Sequence, residues 1–292
     1  MWKRTVKLTP PYDFERVMER LALDPLNKVD KKESIMWVPL YIDRKPVVIK
    51  LKSIGTVEKP VCMVQACQKV GEEAVLNELK RIFQWNVSLS RVNAHFAHTH
   101  LAPLFEEHSG TPLVLEFDLY RCLVKSIIHQ QINLKVAHTL TERFVHTFGK
   151  QMDGVWFYPL PEETAMLRYE DVQALKFSRR KAEYIVDLSV QIASGKLDLN
   201  ELHSASDEEI MKKLIKVRGI GPWTVQSFLM FGLGRANMFP YTDVGLQNAL
   251  RQLFALEKKP TLNQMQQWST EWHPYLSYAS LYLWRSIEKR TS

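Results

Sequence analysis

Cysteine is scarce in this chain: three in 292 residues, at Cys62, Cys67 and Cys122. An odd and small number builds no disulfide framework, and free thiols fit a reducing cytoplasm. Long apolar runs are missing as well. No stretch approaches the roughly 18 consecutive apolar residues of a membrane span. The opening Met1-Trp-Lys-Arg-Thr-Val-Lys-Leu-Thr-Pro10 lacks the apolar centre of a secretory signal. No low-complexity segment and no internal repeat is visible, which sets aside disordered and solenoid architectures. His95, His98, His100 and His108 lie close in sequence, yet neither a cysteine nor an i, i+4 histidine pair accompanies them. Zinc is therefore not expected.

What is present points to a folded, basic protein. Hydrophobic residues make up 46% and charged residues 24%, ordinary globular values. The length suits one large or two to three small domains. A net charge of +7 suits a polyanionic partner without establishing one. Residues 1–110 differ in texture from the rest. Segments 2–8, 34–42, 46–51 and 61–64 read as strands, with Asp43-Arg-Lys45 as a hairpin connection and Pro39 arguing for an edge position. Helices are predicted from about Phe14 and over 72–83. From Phe117 onward the pattern is helical almost throughout, over 117–128, 134–148, 164–175, 178–194, 207–217, a helix containing Trp223, 244–256, 263–272 and 274–288. The expected fold is α+β, with a small N-terminal antiparallel sheet domain (1–110) and a helical region (111–292).

The most informative stretch runs over 206–232. Ser206 and Glu209 form a capping box, and Ile210, Leu214 and Val217 share one helical face. Gly219 and Gly221 then allow a tight turn, and Pro222 suits the first position of a second helix. The free amides there make an anion site, for which a DNA phosphate is the obvious occupant on a basic chain. A plain helix–turn–helix corner is the alternative. Asp243 follows twenty residues after Trp223, just ahead of another apolar helix. Taken alone, an aspartate so placed is most simply a helix cap.

Val217-Arg-Gly-Ile-Gly-Pro-Trp-Thr-Val225 with the Asp243 loop resembles the helix–hairpin–helix DNA glycosylase superfamily, and within it the 3-methyladenine-DNA glycosylase II group. Pro10-Pro-Tyr-Asp-Phe14 is similar to the opening of that group, whose N-terminal sheet supports the catalytic helices. The resemblance covers nearly the whole chain, most densely from Phe117 to Trp284. It implies a mostly helical helix–hairpin–helix glycosylase core. It places Asp243 on the family's catalytic aspartate, a role compatible with capping. It also puts Trp223 where bifunctional members carry a Schiff-base lysine. With no amine there, the implied chemistry is monofunctional hydrolysis that leaves an abasic site, without lyase activity.

The implied base pocket includes Trp223, Trp284 and Tyr278, the last two on a helix over 272–284 that resembles the family's C-terminal helix. Trp272 aligns with a structural tryptophan. Electron-rich rings suit an alkylated, positively charged purine flipped from the duplex. Implied DNA contacts are Gln130, Gln131, Arg218, Gly219, Gly221 and Thr224, with Gln131 where the group has a leucine wedge. The carbonyls of Ile215, Val217 and Ile220 match those that hold a bridging monovalent cation. No cofactor is otherwise implied. The iron–sulfur cluster of some members needs four C-terminal cysteines, and none lies beyond Cys122. Ser227 and Val244 replace two aromatic pocket residues, and Arg20 a phenylalanine. Lesion range therefore stays open, between alkylated purines and deaminated or oxidised bases, as does a non-catalytic DNA-binding module. The expected partner is double-stranded DNA with damaged bases, bound by a monomer in the cytoplasm, at the nucleoid if the source is bacterial.

Overall fold

The computed structural model describes residues 1–288. The chain opens with strand β1 (Trp2–Lys7), helix α1 (Phe14–Ala22), and strands β2 (Lys28–Asp30), β3 (Ile35–Ile42), β4 (Lys45–Ser53) and β5 (Val61–Ala66). Helices α2 (Glu72–Ile82), α3 (Leu89–Phe96), α4 (Ala102–Glu107), α5 (Leu119–His129) and α6 (Leu134–Phe148) follow. A hairpin of β6 (Lys150–Met152) and β7 (Val155–Phe157) leads to α7 (Pro161–Ala165), α8 (Tyr169–Gln173), α9 (Arg179–Ala193), α10 (Asp207–Leu214) and α11 (Pro222–Ser227). The last runs into a π-helical turn, Phe228–Gly232, before α12 (Val244–Leu253), α13 (Leu262–Ser269) and α14 (Leu276–Ile287).

The N-terminal sheet is antiparallel with order β1-β5-β4-β3-β2. Asp43 and Arg44 both take positive φ, so β3 and β4 are joined by a two-residue turn of the kind whose twist matches the strands. Pro39 sits in a strand that has neighbours on both sides. It is tolerated because β2 pairs only as far as Trp37, which leaves Pro39 locally at an edge.

The helical reading beyond residue 117 leaves 149–163 unassigned, and the β6–β7 hairpin falls in that gap. Its turn is Asp153-Gly154, again with two positive φ values, a strong hairpin signal between the helices on either side. Val155 and Phe157 pack on Val48, covering the outer face of the sheet. The helix expected over 164–175 is two short ones, α7 and α8.

The N-terminal sheet ends at Ala66 and α2–α4 precede residue 110, and the apolar interior divides differently again. One core joins α1, the sheet and α2–α4 to residues of α12–α14 far down the chain. The other is built mainly within α5–α11 and the π turn, with Leu26 added from the N-terminal part. Phe231 and Met238 pack on both. Among the described residues no helix is long and apolar enough to cross a membrane.

Candidate active site

The hairpin between α10 and α11 is seated on α9. Gly219 has φ +91°, and a Cβ there would lie 2.3 Å from Cγ of Tyr184. Only glycine fits, for both conformational and steric reasons. Gly221 differs: its φ is ordinary, and a Cβ would meet no atom within 4 Å, so its outward face is open. The N–H groups of Gly219, Gly221 and Trp223 have no acceptor among the described residues. On the inner side, Gln130 Nε2 donates to the Gly219 carbonyl (2.8 Å) and to Thr224 Oγ1 (2.9 Å). Lys181 Nζ donates to the carbonyls of Ile128 and Gln130, closing the end of α5 against α9.

These contacts give two of the expected DNA-facing residues partners within the protein. Thr224 is buried, and the amide of Gln130 holds the hairpin from inside. Arg218 is exposed but pairs with Glu183 and Asp187 and lies over the Tyr184 ring. Gln131, by contrast, is exposed with φ +54°, at the tip of the turn between α5 and α6. Ile215 is exposed, while Val217 and Ile220 are buried side chains whose backbone forms the turn, the Val217 carbonyl accepting from Ile220 N–H.

Asp243 is the N-cap of α12. Its Oδ1 accepts from Leu246 N–H at 2.9 Å and from Trp284 Nε1–H at 2.8 Å. Oδ2 has no donor among the described residues. The carboxylate is thus fixed in orientation through one oxygen and left half-buried with the other available. Gly245 makes this possible, since a Cβ there would stand 2.9 Å from Oδ1 and 3.1 Å from Trp284 Cδ1. The Trp284 ring in turn stacks on Phe231 with centroids 6.0 Å apart.

Phe231 lines a cavity of about 240 Å³ at the seam between the two cores. Trp223 and Ser227 of α11, Arg20 at the end of α1 and Phe117 also line it. Trp223 is 39% exposed, enough ring surface to stack on a ligand. Trp284 reaches this cavity only through Phe231, and its indole N–H serves Asp243. Tyr278 does not belong to a pocket: it is 2% exposed in the first core. Six residues separate it from Trp284, which on a helix turns it to a different face. Val244 is exposed and lies outside the cavity lining.

The cavity floor holds a charge network that sequence reading missed. Lys125 Nζ bonds Asp24 (2.8 Å) and Glu116 (2.7 Å), and Arg121 pairs with the same two carboxylates. Burial alone would raise both acids, but Lys125 and Arg121 outweigh it: Glu116 is held at about 2, and Asp24 is also well below the carboxylate range. Nearby His129 is pushed down to about 4, chiefly by burial and then by Lys125. The available signal was Arg121 and Lys125 at i, i+4, two cations on one face of an otherwise apolar helix. Among the described residues no three His, Cys, Asp or Glu side chains gather so as to hold a metal. His95 and His100 contact Glu271 instead.

Comparison with known proteins follows the same outline. Residues 124–274 match the family model of the HhH-GPD superfamily of base excision DNA repair proteins. A Bacillus subtilis (strain 168) protein provisionally named a DNA-3-methyladenine glycosylase is 55% identical over 99% of this chain and 100% of its own. A second protein of that organism, named DNA-3-methyladenine glycosylase, is 30% identical over 85% of this chain and 88% of its own. Among solved structures, the 3-methyladenine DNA-glycosylase from Archaeoglobus fulgidus superposes with a TM-score of 0.85, at 23% identity and 98% coverage of both chains.

Proposed function

This chain belongs to the HhH-GPD superfamily of base excision DNA repair proteins, and on that premise we propose that it excises alkylated purines, of the 3-methyladenine and 7-methylguanine type, from double-stranded DNA. The observation that carries the reading is Asp243, a carboxylate oriented by the Trp284 indole and the Leu246 amide, with no donor to Oδ2 among the described residues. The named activity of its relatives supports it.

Breaking the N-glycosidic bond leaves a sugar with oxocarbenium character. The Asp243 carboxylate stabilises that positive charge and orients an attacking water through Oδ2. The C1′–N bond breaks as a C1′–O bond forms, and the water's proton leaves toward the carboxylate. Damage helps, because positive charge on the purine weakens the bond and favours stacking on Trp223. No lysine stands at position 223, so hydrolysis to an abasic site is the outcome, without strand cleavage by a Schiff base.

DNA is held through backbone. The open amides of Gly219, Gly221 and Trp223 suit one phosphate, and such contacts carry no sequence information, so binding is salt-sensitive and sequence-independent. The carbonyls of Ile215, Val217 and Ile220 fit a monovalent cation: all three are neutral oxygens, and no acidic residue lies in 210–220. When bound, such an ion would neutralise charge between the hairpin and a phosphate. Gln131 is the wedge that fills the space of the flipped base. One chain supplies every residue of this reading, so a monomer suffices, acting where DNA is (the nucleoid in a bacterium).

Replacement Asp243→Asn tests the proposal. It keeps the Trp284 and Leu246 contacts within reach but removes the charge. We expect retained affinity for abasic DNA and a loss of base release of at least about a hundredfold, the scale of removing one electrostatic stabiliser. Excision at the wild-type rate would exclude Asp243 as the catalytic carboxylate.

A further inference from the structure

We infer that Arg20 reads the acceptor edge of the flipped base and favours purines with a carbonyl at C6 over those with an amino group there. The inference rests on the glycosylase reading above. Arg20 sits in the last turn of α1, half-buried, and lines the cavity together with Trp223, Ser227 and Phe231. Its guanidinium lies 5.5 Å from the centre of the Phe231 ring. That ring stacks on Trp284, which holds Asp243, so Arg20 stands two side chains from the carboxylate.

Arg20 differs from every other cation on this wall. Arg121 and Lys125 are each bound to both Asp24 and Glu116. Glu19, next to Arg20 in sequence, is taken by Arg16 (3.0 Å) and Arg285 (2.7 Å). The guanidinium of Arg20 has no acceptor among the described residues. It therefore offers five N–H donors to the cavity in a fixed planar fork, with the ring of Phe231 limiting its sweep.

What those donors select follows from the edges of the purines. In 7-methylguanine the N7 acceptor is lost to methylation, but O6 remains and accepts from an arginine. In 3-methyladenine the same position carries an amino group, a donor that confronts donors. Both lesions are cations in DNA, so net charge does not separate them. A buried donor that finds an acceptor gains, and one left unmatched costs.

One digest supplies the test. DNA treated with a methylating agent contains both lesions, and the ratio of 7-methylguanine to 3-methyladenine released is independent of how much enzyme is folded. Substitution Arg20→Met keeps the unbranched stem against Phe231 and removes the fork. We expect this ratio to fall by about tenfold relative to wild type, the size of one lost arginine–base contact. Substitution Arg20→Lys, which keeps the charge without the fork, should fall between. Equal loss on both lesions, with a shallower salt dependence, would mean that Arg20 holds a phosphate and would overturn the inference. An unchanged ratio, or a wild type that releases 3-methyladenine alone, overturns it as well. Release of neither lesion by the wild type would defeat the glycosylase reading itself, and the inference with it.

Discussion

At the scale of single residues, the reactive geometry depends on an atom that is missing. Gly245 lies two positions after Asp243, and a methyl group there would press on both Asp243 Oδ1 and the Trp284 ring. Its φ is not in the left-handed region, so the constraint is close approach alone. Substitution Gly245→Ala should push the carboxylate off its two donors while leaving the hairpin untouched. We expect kcat to fall on the order of 10–100-fold, as small misplacements of reacting groups do, with affinity for abasic DNA unchanged. A KM change without a kcat change would show that the glycine serves binding instead. Asp243 was legible in the sequence both as a cap and, through resemblance, as a catalytic candidate, because caps obey local rules. The bond from Trp284 was not legible. It joins residues 41 apart in sequence and depends on α12 and α14 packing side by side.

At the scale of elements, the two hairpin glycines looked interchangeable in sequence, and the structure separates them. Gly219 faces inward on Tyr184 with a positive φ, whereas Gly221 faces open space. Gly219→Ala is expected to destabilise the fold by about 1–3 kcal/mol, the usual cost of a strained backbone position. Gly221→Ala should leave stability within about 0.5 kcal/mol, like other exposed substitutions, and weaken DNA binding instead. Thermal melts and salt-titrated binding of a duplex, run side by side, separate the two effects. A Gly219→Ala protein as stable as wild type would refute the seating on α9. The capping box at Ser206 and the ends of α6 and α9 were readable because capping and periodicity act within a few residues. The inward contacts of Gln130 were hidden for the opposite reason. Its polar side chain at a helix end looks solvent-bound until the hairpin 89 residues later closes over it. Tyr278 was misread because a run of aromatic residues does not reveal which face turns inward.

At the scale of the whole molecule, buried charge sets the response to acid. His129 has its pKa lowered from 6.5 to about 4, so the folded state disfavours its protonated form. The stability tied to neutral His129 is complete above 6.5 and is lost as pH falls toward 4. Glu116, lowered from 4.5 to about 2, and Asp24 contribute stability that is present above the unfolded carboxylate range and lost below it. Urea midpoints measured from pH 7 downward should therefore decline in two stages. Each unmatched proton sets a slope of about 1.4 kcal/mol per pH unit. In His129→Gln the upper stage should shrink and the lower one remain, since burial also lowers His138 and His203 and they titrate in the same window. A profile whose upper stage is unchanged would assign that stage to other groups.

The interleaving of the two cores also bears on how the protein comes into being. Residues of α5–α11 form their core largely among themselves, with Leu26 added from the earlier part, so this region has its apolar partners as soon as it has been synthesised. The sheet and α1–α4 are made earlier, yet part of their core lies in α12–α14, the last helices to be translated. Asp243 and Trp284, which must meet for the site to exist, belong to that late group. Up to residue 240 the sequence therefore encodes the hairpin and the Trp223 side of the cavity but not the carboxylate. The phosphate-facing part of the molecule is thus encoded ahead of the pair of residues that does the chemistry.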